Sequence, residues 1–130
     1  KIVRQSTFDQ ILLVGGGVTL IESIKAAVIL EKCGIHARVM DLFSIKPIDK
    51  EGLEKNASEC NNLILTVEDH YLEGGIGEAV SSCLAEYGKF SVNMVYVTDL
   101  PRSGKPQELL QMFGLTAEKI ASKITLLLQH

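Results

Sequence analysis

The chain has 130 residues, 46% of them hydrophobic and 22% charged, with a formal net charge of -3 and a pI near 5.6. That length suits one domain with a core of its own, and the acidic balance gives no electrostatic footprint for nucleic acid. No apolar run approaches the roughly 20 residues of a membrane span and no signal-peptide pattern opens the chain, so neither nucleic acid nor membrane is an expected partner.

Lys1 to Gln5 reads as a short edge strand, charged towards both ends as exposed edges are. Ile11 to Val14 is an apolar run suited to a buried strand, and Gly15-Gly16-Gly17 turns the chain out of it. A helix is predicted from Thr19 to Lys32, with Leu20, Ile24, Ala27 and Val28 on its inner stripe and Gly34 as its stop. Ala37 to Leu42 is the next strand. Phe43 to Ile48 is irregular, because Pro47 disfavours helix in the residue before it. Asp49 N-caps a short polar helix, Lys50 to Glu59.

Leu63 to Val67 is a continuous apolar run, as in a central strand covered on both faces. Glu68, Asp69 and His70 follow at its C-terminal end, where open α/β sheets place their ligand crevice. Gly74, Gly75 and Gly77 then open a helix with the stripe Ile76, Ala79, Val80, Cys83, Leu84 and Tyr87. At least one of Gly74 and Gly75 is expected at positive φ. Val92 to Val97 is a strand, Asp99 to Pro106 a long loop, and Gln107 to Phe113 a short helix stopped by Gly114. Thr116 caps a last helix with the stripe Ile120, Ala121, Ile124, Leu127 and Leu128.

The alternation of strand and helix predicts an α/β fold. It is a three-layer sandwich: a doubly wound, mainly parallel sheet of about five strands, one of them antiparallel, with helices on both faces. Residues 1–130 form a single domain. Because the chain begins at Lys1 and not Met, it is expected to be a fragment of a longer multi-domain chain.

Two glycine-rich helix starts invite a ligand. Gly15 and Gly17 match the first two glycines of G-x-G-x-x-G, but Leu20 stands at the third, and Asp41 ends the next strand about where a ribose-binding acid sits. A dinucleotide site and a structural tight turn are both compatible with that. The acidic turn has three readings. Glu73 or Asp69 could neutralise the chain's own helix start, which leaves about four N–H groups without intrahelical partners. The turn could be a contact surface for another domain or subunit, or it could take a small anion.

Arg102, Ser103 and Lys105 form a small cationic loop, either a polar contact for a carboxylate or phosphate or a solvated surface. Cys33, Cys60 and Cys83 read as reduced, mostly buried thiols of a cytoplasmic protein. His36, His70 and His130 are too scattered for a zinc site. No nucleophile elbow, Walker loop or paired-carboxylate motif is present. No catalytic, cofactor-binding or metal-binding residue is therefore assigned.

Four stretches together resemble the C-terminal domain of transketolase or a transketolase-like homologue: GGGVTLIE at Gly15 to Glu22, IKPID at Ile45 to Asp49, VEDHYLEGGIGEAVSS at Val67 to Ser82, and RSGKPQELLQMFG at Arg102 to Gly114. The third is highly specific, and order and spacing match over essentially the whole chain. The resemblance implies a three-domain homodimeric parent that moves a two-carbon ketol unit from a ketose phosphate to an aldose phosphate in the pentose phosphate pathway. Its N-terminal domain would bind thiamine diphosphate through a divalent metal, magnesium or calcium, and its middle domain would hold the aminopyrimidine ring.

The third domain supports the middle domain and adds to the dimer contact, which the resemblance places at Glu68, Asp69, His70, Glu73, Gly74, Gly75 and Gly77. This chain has no G-D-G…N motif, so no cofactor is expected in it and the isolated chain is expected to be inactive. The acidic turn before Gly-Gly also looks like the β subunits of 2-oxo acid dehydrogenases, and a stand-alone nucleotide-binding or regulatory module is the other alternative. The RSGKP-x-ELL-x-MFG stretch favours transketolase.

Overall fold

A computed structural model describes residues 1–42, 47–69, 75–96 and 115–129. Five strands form one sheet: β1 (Ile2–Arg4), β2 (Ile11–Gly15), β3 (Ala37–Asp41), β4 (Leu63–Val67) and β5 (Ser91–Val95), in the order β1-β3-β2-β4-β5. β2 is parallel to β3 and β4, with Leu13 opposite Val39 and Leu65, and β5 is parallel to β4. β1 runs antiparallel to β3 at one edge, with Ile2 opposite Met40. Among the described residues the helices are α1 (Val18–Glu31), α2 (Lys50–Glu59), α3 (Ile76–Leu84) and α4 (Ala117–Leu128), and a 3-10 turn at Ala85–Tyr87 follows α3.

The period-two alternation of a strand divides the apolar runs between two cores. Ile11, Leu13, Val39, Leu65 and Val67 face α1 and α4, where they meet Ala26, Ala27, Leu30, Ile120, Ala121 and Ile124. Leu12, Val14, Met40 and Ile64 face α2 and α3, where they meet Leu53, Ala57, Ile76, Val80 and Leu84. Every residue of β2 is buried. Each fully buried leucine or isoleucine adds roughly 1.5–3 kcal/mol relative to exposure, so sealing both faces is what makes these short strands a stable sheet. This is the doubly wound three-layer sandwich expected from the sequence, with β1 as its antiparallel edge.

The helix ends follow local chemistry. Asp49 accepts a hydrogen bond from the Gly52 N–H at 3.0 Å, and the Thr116 hydroxyl accepts from Lys119 N–H at 3.4 Å. Gly34 lies at φ +80°, and this lets the Ile35 N–H return to the Leu30 carbonyl at 3.0 Å and close α1.

Two predicted stripes need correction. On α1 the buried residues are Thr19, Glu22, Ser23, Ala26, Ala27 and Leu30, whereas Val28 is 39% exposed. A helix this apolar carries no contrast between faces, and three polar side chains face inward because they have partners there. On α3 the stripe ends at Leu84, and Tyr87 is exposed in the 3-10 turn. There Tyr87 packs edge-on against Phe90, with Lys50 over its ring. Strand β5 begins and ends earlier than expected, and Phe43 to Lys46 and Val97 to Gly114 lie outside the described residues. Of the thiols, Cys60 is buried but Cys33 is exposed, contrary to the expectation of mostly buried cysteines.

At the amino edge of the sheet, Arg38 lies in a buried polar network. Its Nε donates to Asp9 Oδ2 at 2.8 Å, and one terminal nitrogen donates to Asn56 Oδ1 at 2.8 Å and Glu59 Oε1 at 2.6 Å. Asp9 also accepts from the amide and hydroxyl of Ser6, at 2.9 and 2.6 Å. The network ties the β1–β2 connection, β3 and α2 together.

Burial pushes the Asp9 carboxyl up, but Ser6 and the Arg38 guanidinium outweigh it and hold the group below the ordinary carboxylate value. A depressed folded-state pKa gives stability that is complete above the unfolded value, about 3.9. That stability is lost as pH falls through the lower folded value. Thermal melts between neutral pH and pH 3 should therefore show a smaller acid-induced drop for Asp9→Asn than for the native chain. An equal drop would remove Asp9 from the acid response.

Candidate functional site

The carboxyl ends of the four parallel strands share one edge, and both glycine-rich helix starts open there. The first follows β2. Gly17 sits at φ 60° ahead of α1, a conformation that favours glycine. The Thr19 hydroxyl accepts from the Gly16 N–H at 3.1 Å. It lies 2.8 Å from the Gly16 carbonyl and 2.9 Å from the Val67 carbonyl, one of which takes its proton. The N–H groups of Thr19 and Leu20 return to the carbonyls of Gly16 and Gly17, both at 3.2 Å. The N–H groups of Gly16, Thr19 and Leu20 are thus taken by the chain itself. A Cβ on Gly15 would stand 3.1 Å from the Thr19 carbonyl oxygen and the Ser23 hydroxyl, so this glycine serves close packing. The tight-turn reading of Gly15 to Leu20 accounts for all of this.

The second start follows β4. Glu68 is fully buried, and its two carboxylate oxygens accept from the first N–H groups of α3: Ile76 at 3.0 Å and Gly77 at 2.6 Å. A carboxylate at a helix N-terminus satisfies two orphan donors and meets the positive end of the dipole. Glu68 makes a self-cap for which the sequence offered Glu73 or Asp69; Glu73 lies outside the described residues. No short-range spacing rule links an acid to a helix that begins eight residues later, which is why the sequence pointed elsewhere. The remaining signal was Glu68's place at the end of an apolar strand.

Gly77 explains the third glycine. A Cβ there would lie 2.8 Å from Met94 Sδ and 2.9 Å from Thr66 Oγ1, so α3 presses directly onto β4 and β5. Gly75 caps α3 in extended backbone, φ -93°, and does not carry the positive φ expected of Gly74 or Gly75. Gly74 lies outside the described residues together with His70 and Glu73. Asp69 is exposed at the edge. The loop containing Arg102, Ser103 and Lys105 also lies outside the described residues.

A further cap escaped the sequence reading. Buried Glu22 on α1 accepts from the Ala117 N–H at 2.9 Å, so one helix closes the start of another 95 residues away. Its second oxygen is 3.5 Å from Lys25 Nζ.

Among the described residues no group of three His, Cys, Asp or Glu side chains could hold a metal ion. The Cys60 thiol, buried beneath α2, is pushed up to about 12 by desolvation despite the nearby Arg38, so it is no nucleophile at neutral pH.

The family model for the C-terminal domain of transketolase matches residues 1–120. The chain is 48% identical to human transketolase over 124 residues and 47% identical to mouse transketolase-like protein 2 over 124 residues. Each alignment covers 95% of this chain and 20% of the relative. Among solved structures it is similar to a split-gene transketolase described as an inactive β4 tetramer, with TM-score 0.83 and 36% identity over 93% of this chain and 39% of that one. Transketolase from Campylobacter jejuni shares the fold, with TM-score 0.69 at 20% identity. The chain spans about a fifth of the length of the relatives it matches.

Proposed function

The chain belongs to the transketolase C-terminal domain family, and from that premise we infer that it is the structural and assembly domain of a longer, thiamine-diphosphate-dependent transketolase. The parent transfers a two-carbon ketol unit between sugar phosphates in the pentose phosphate pathway, works as a homodimer in the cytoplasm, and binds cofactor and metal in domains outside this chain. Exposed Asp69, at the head of the Glu68 to Gly77 stretch, meets the middle domain or the second subunit, whereas the buried Glu68 and Gly77, expected as contacts, are used inside the fold to close and seat α3; the Arg102, Ser103 and Lys105 loop adds polar contacts.

One observation carries this reading. At both glycine-rich helix starts, where folds of this kind take phosphates, backbone N–H groups are taken by the chain itself: Ile76 and Gly77 by Glu68, and Gly16, Thr19 and Leu20 by the Thr19 hydroxyl and the Gly16 and Gly17 carbonyls. A fold that has closed its ligand edge internally still presents that edge as a shaped surface, with exposed Asp69 on it. The same closure argues against a stand-alone nucleotide-binding module.

The test is a melt of the isolated chain with thiamine diphosphate and magnesium, and separately with NAD or NADP. A ligand at a hundredfold excess over its dissociation constant would stabilise by about 2.7 kcal/mol. The expected result is no change in Tm with either. A clear rise with the nucleotide would restore the module reading, and a rise with thiamine diphosphate would put cofactor binding in this domain.

A further inference from the structure

The amino edge of the sheet, opposite the glycine-rich helix starts, holds a groove of about 590 Å³, a size within the range of small-molecule sites. It lies where β4 and β5 begin and α4 ends. Half-buried Leu63, Leu127 and Leu128 supply its apolar lining. Its polar lining is dominated by carboxamides, those of Gln10, Asn61, Asn62 and Asn93, with Ser91 among them. Among the described residues no carboxylate lines it.

Asn61 and Asn62 both lie at φ 60°. Their turn closes α2, with the Asn62 N–H on the Ala57 carbonyl at 2.9 Å. Glycine makes such a turn without the steric cost that a side chain adds at positive φ, yet both positions carry a carboxamide. Among the described residues no hydrogen bond holds either carboxamide. The remaining amides are half committed. Gln10 Oε1 accepts from the His36 N–H at 3.0 Å, which leaves its NH2 to donate. The Asn93 NH2 donates to the Ile64 carbonyl at 3.4 Å and Ser91 Oγ at 3.3 Å, which leaves Oδ1 to accept.

Charge decides the class of ligand. Lys89 also lines the groove, but its ammonium group is drawn aside, 3.4 Å from Glu54 Oε2 and 5.1 Å from the centre of the Phe90 ring. Helix α2 ends just before Asn61 and α4 ends in the groove, so the negative ends of two helix dipoles disfavour an anion. With no carboxylate in the lining, a cation has no counter-charge either. We propose that the groove binds a small neutral polyhydroxy compound, a monosaccharide or a linear polyol. Each hydroxyl both donates and accepts, as a free carboxamide does, and the C–H face of the ligand packs on the leucines. The groove is at the other end of the sheet from Asp69, so this inference stands apart from the assembly reading.

The experiment is a titration of the isotope-labelled chain by NMR, following backbone and side-chain amides, with three probes: glucose, sorbitol and glucose 6-phosphate. Glucose or sorbitol should give saturable, millimolar shifts confined to Asn61, Asn62, Ser91, Asn93 and Gln10, and whichever of the two binds tighter tells a ring sugar from an open-chain polyol. Glucose 6-phosphate should bind about threefold or more weakly than glucose, because its phosphate meets two helix C-termini. The double variant Asn61→Gly with Asn62→Gly removes both carboxamides and keeps the turn. It should weaken binding about fivefold or more while its Tm stays within about 5 °C of the native chain. Shifts that fail to saturate for both neutral probes would overturn the proposal. Tighter binding of the phosphate ester would overturn the neutral class, and undiminished binding by the glycine variant would put the sugar elsewhere and overturn the site.

Discussion

Replacing Arg38 with methionine is expected to destabilise the chain by about 3–5 kcal/mol, the cost of removing one partner from a buried ion pair. Asp9 would keep its place with its side chain 1% exposed, but would lose the guanidinium beside it. Asn56 and Glu59 would lose the donor that anchors α2 to β3. The stem of methionine fills much the same space, so the loss is electrostatic and not a cavity. In a domain of this size the Tm should fall by on the order of 10–20 °C.

The double variant Arg38→Met with Asp9→Asn separates the terms, since neutralising the stranded acid should recover part of the loss. A double variant as unstable as the sum of its single variants would mean that the two side chains act independently.

Glu68→Ala should cost about 2–4 kcal/mol. It leaves the Ile76 and Gly77 N–H groups buried without their carboxylate, at roughly 1–3 kcal/mol for each unsatisfied donor, less whatever water recovers. It also removes the negative charge facing the α3 dipole. Glu68→Gln keeps the shape but can offer only one oxygen, so its NH2 must face one of the two helix donors. It should lose at least half as much as the alanine variant. Chemical denaturation of the isolated chain measures both. A glutamine variant as stable as the native chain would show that the charge and the second acceptor are dispensable.

How far the sequence alone leads can be judged from particular residues. The strands were readable because both faces of the sheet are covered, which makes Ile11 to Val14 and Leu63 to Val67 continuous apolar runs. The caps at Asp49 and Thr116 were readable because their chemistry is local, three residues from cap to donor. The α1 stripe was not, since a helix with apolar residues on every face has no periodic contrast to read.

The decisive features of the carboxyl edge were the least accessible. Glu68 reaches across eight and nine residues and Glu22 across 95. Contacts of that kind depend on how the elements pack and leave no mark in spacing. Thr19 is the exception. Its place three residues after Gly16 is a local hydroxyl-to-backbone pattern that the sequence does display. The resemblance pointed to the Glu68 to Gly77 stretch as a whole. Only the packing shows that its carboxylate turns inward onto α3 while Asp69 stays exposed.

The most direct measurement is sedimentation velocity of the full-length parent carrying Asp69→Arg, run across a dilution series with turnover followed in parallel. In the isolated chain this exposed position should tolerate the change within about 0.5 kcal/mol. In the parent, the proposed homodimer and its assembly role for this edge predict dissociation at higher protein concentration than for the unsubstituted parent, with turnover falling as the dimer is lost and recovering when it is restored by concentration. A dimer that stays intact at nanomolar protein while turnover is abolished would place this edge in the chemistry itself. An unchanged dimer with unchanged turnover would remove it from the assembly altogether.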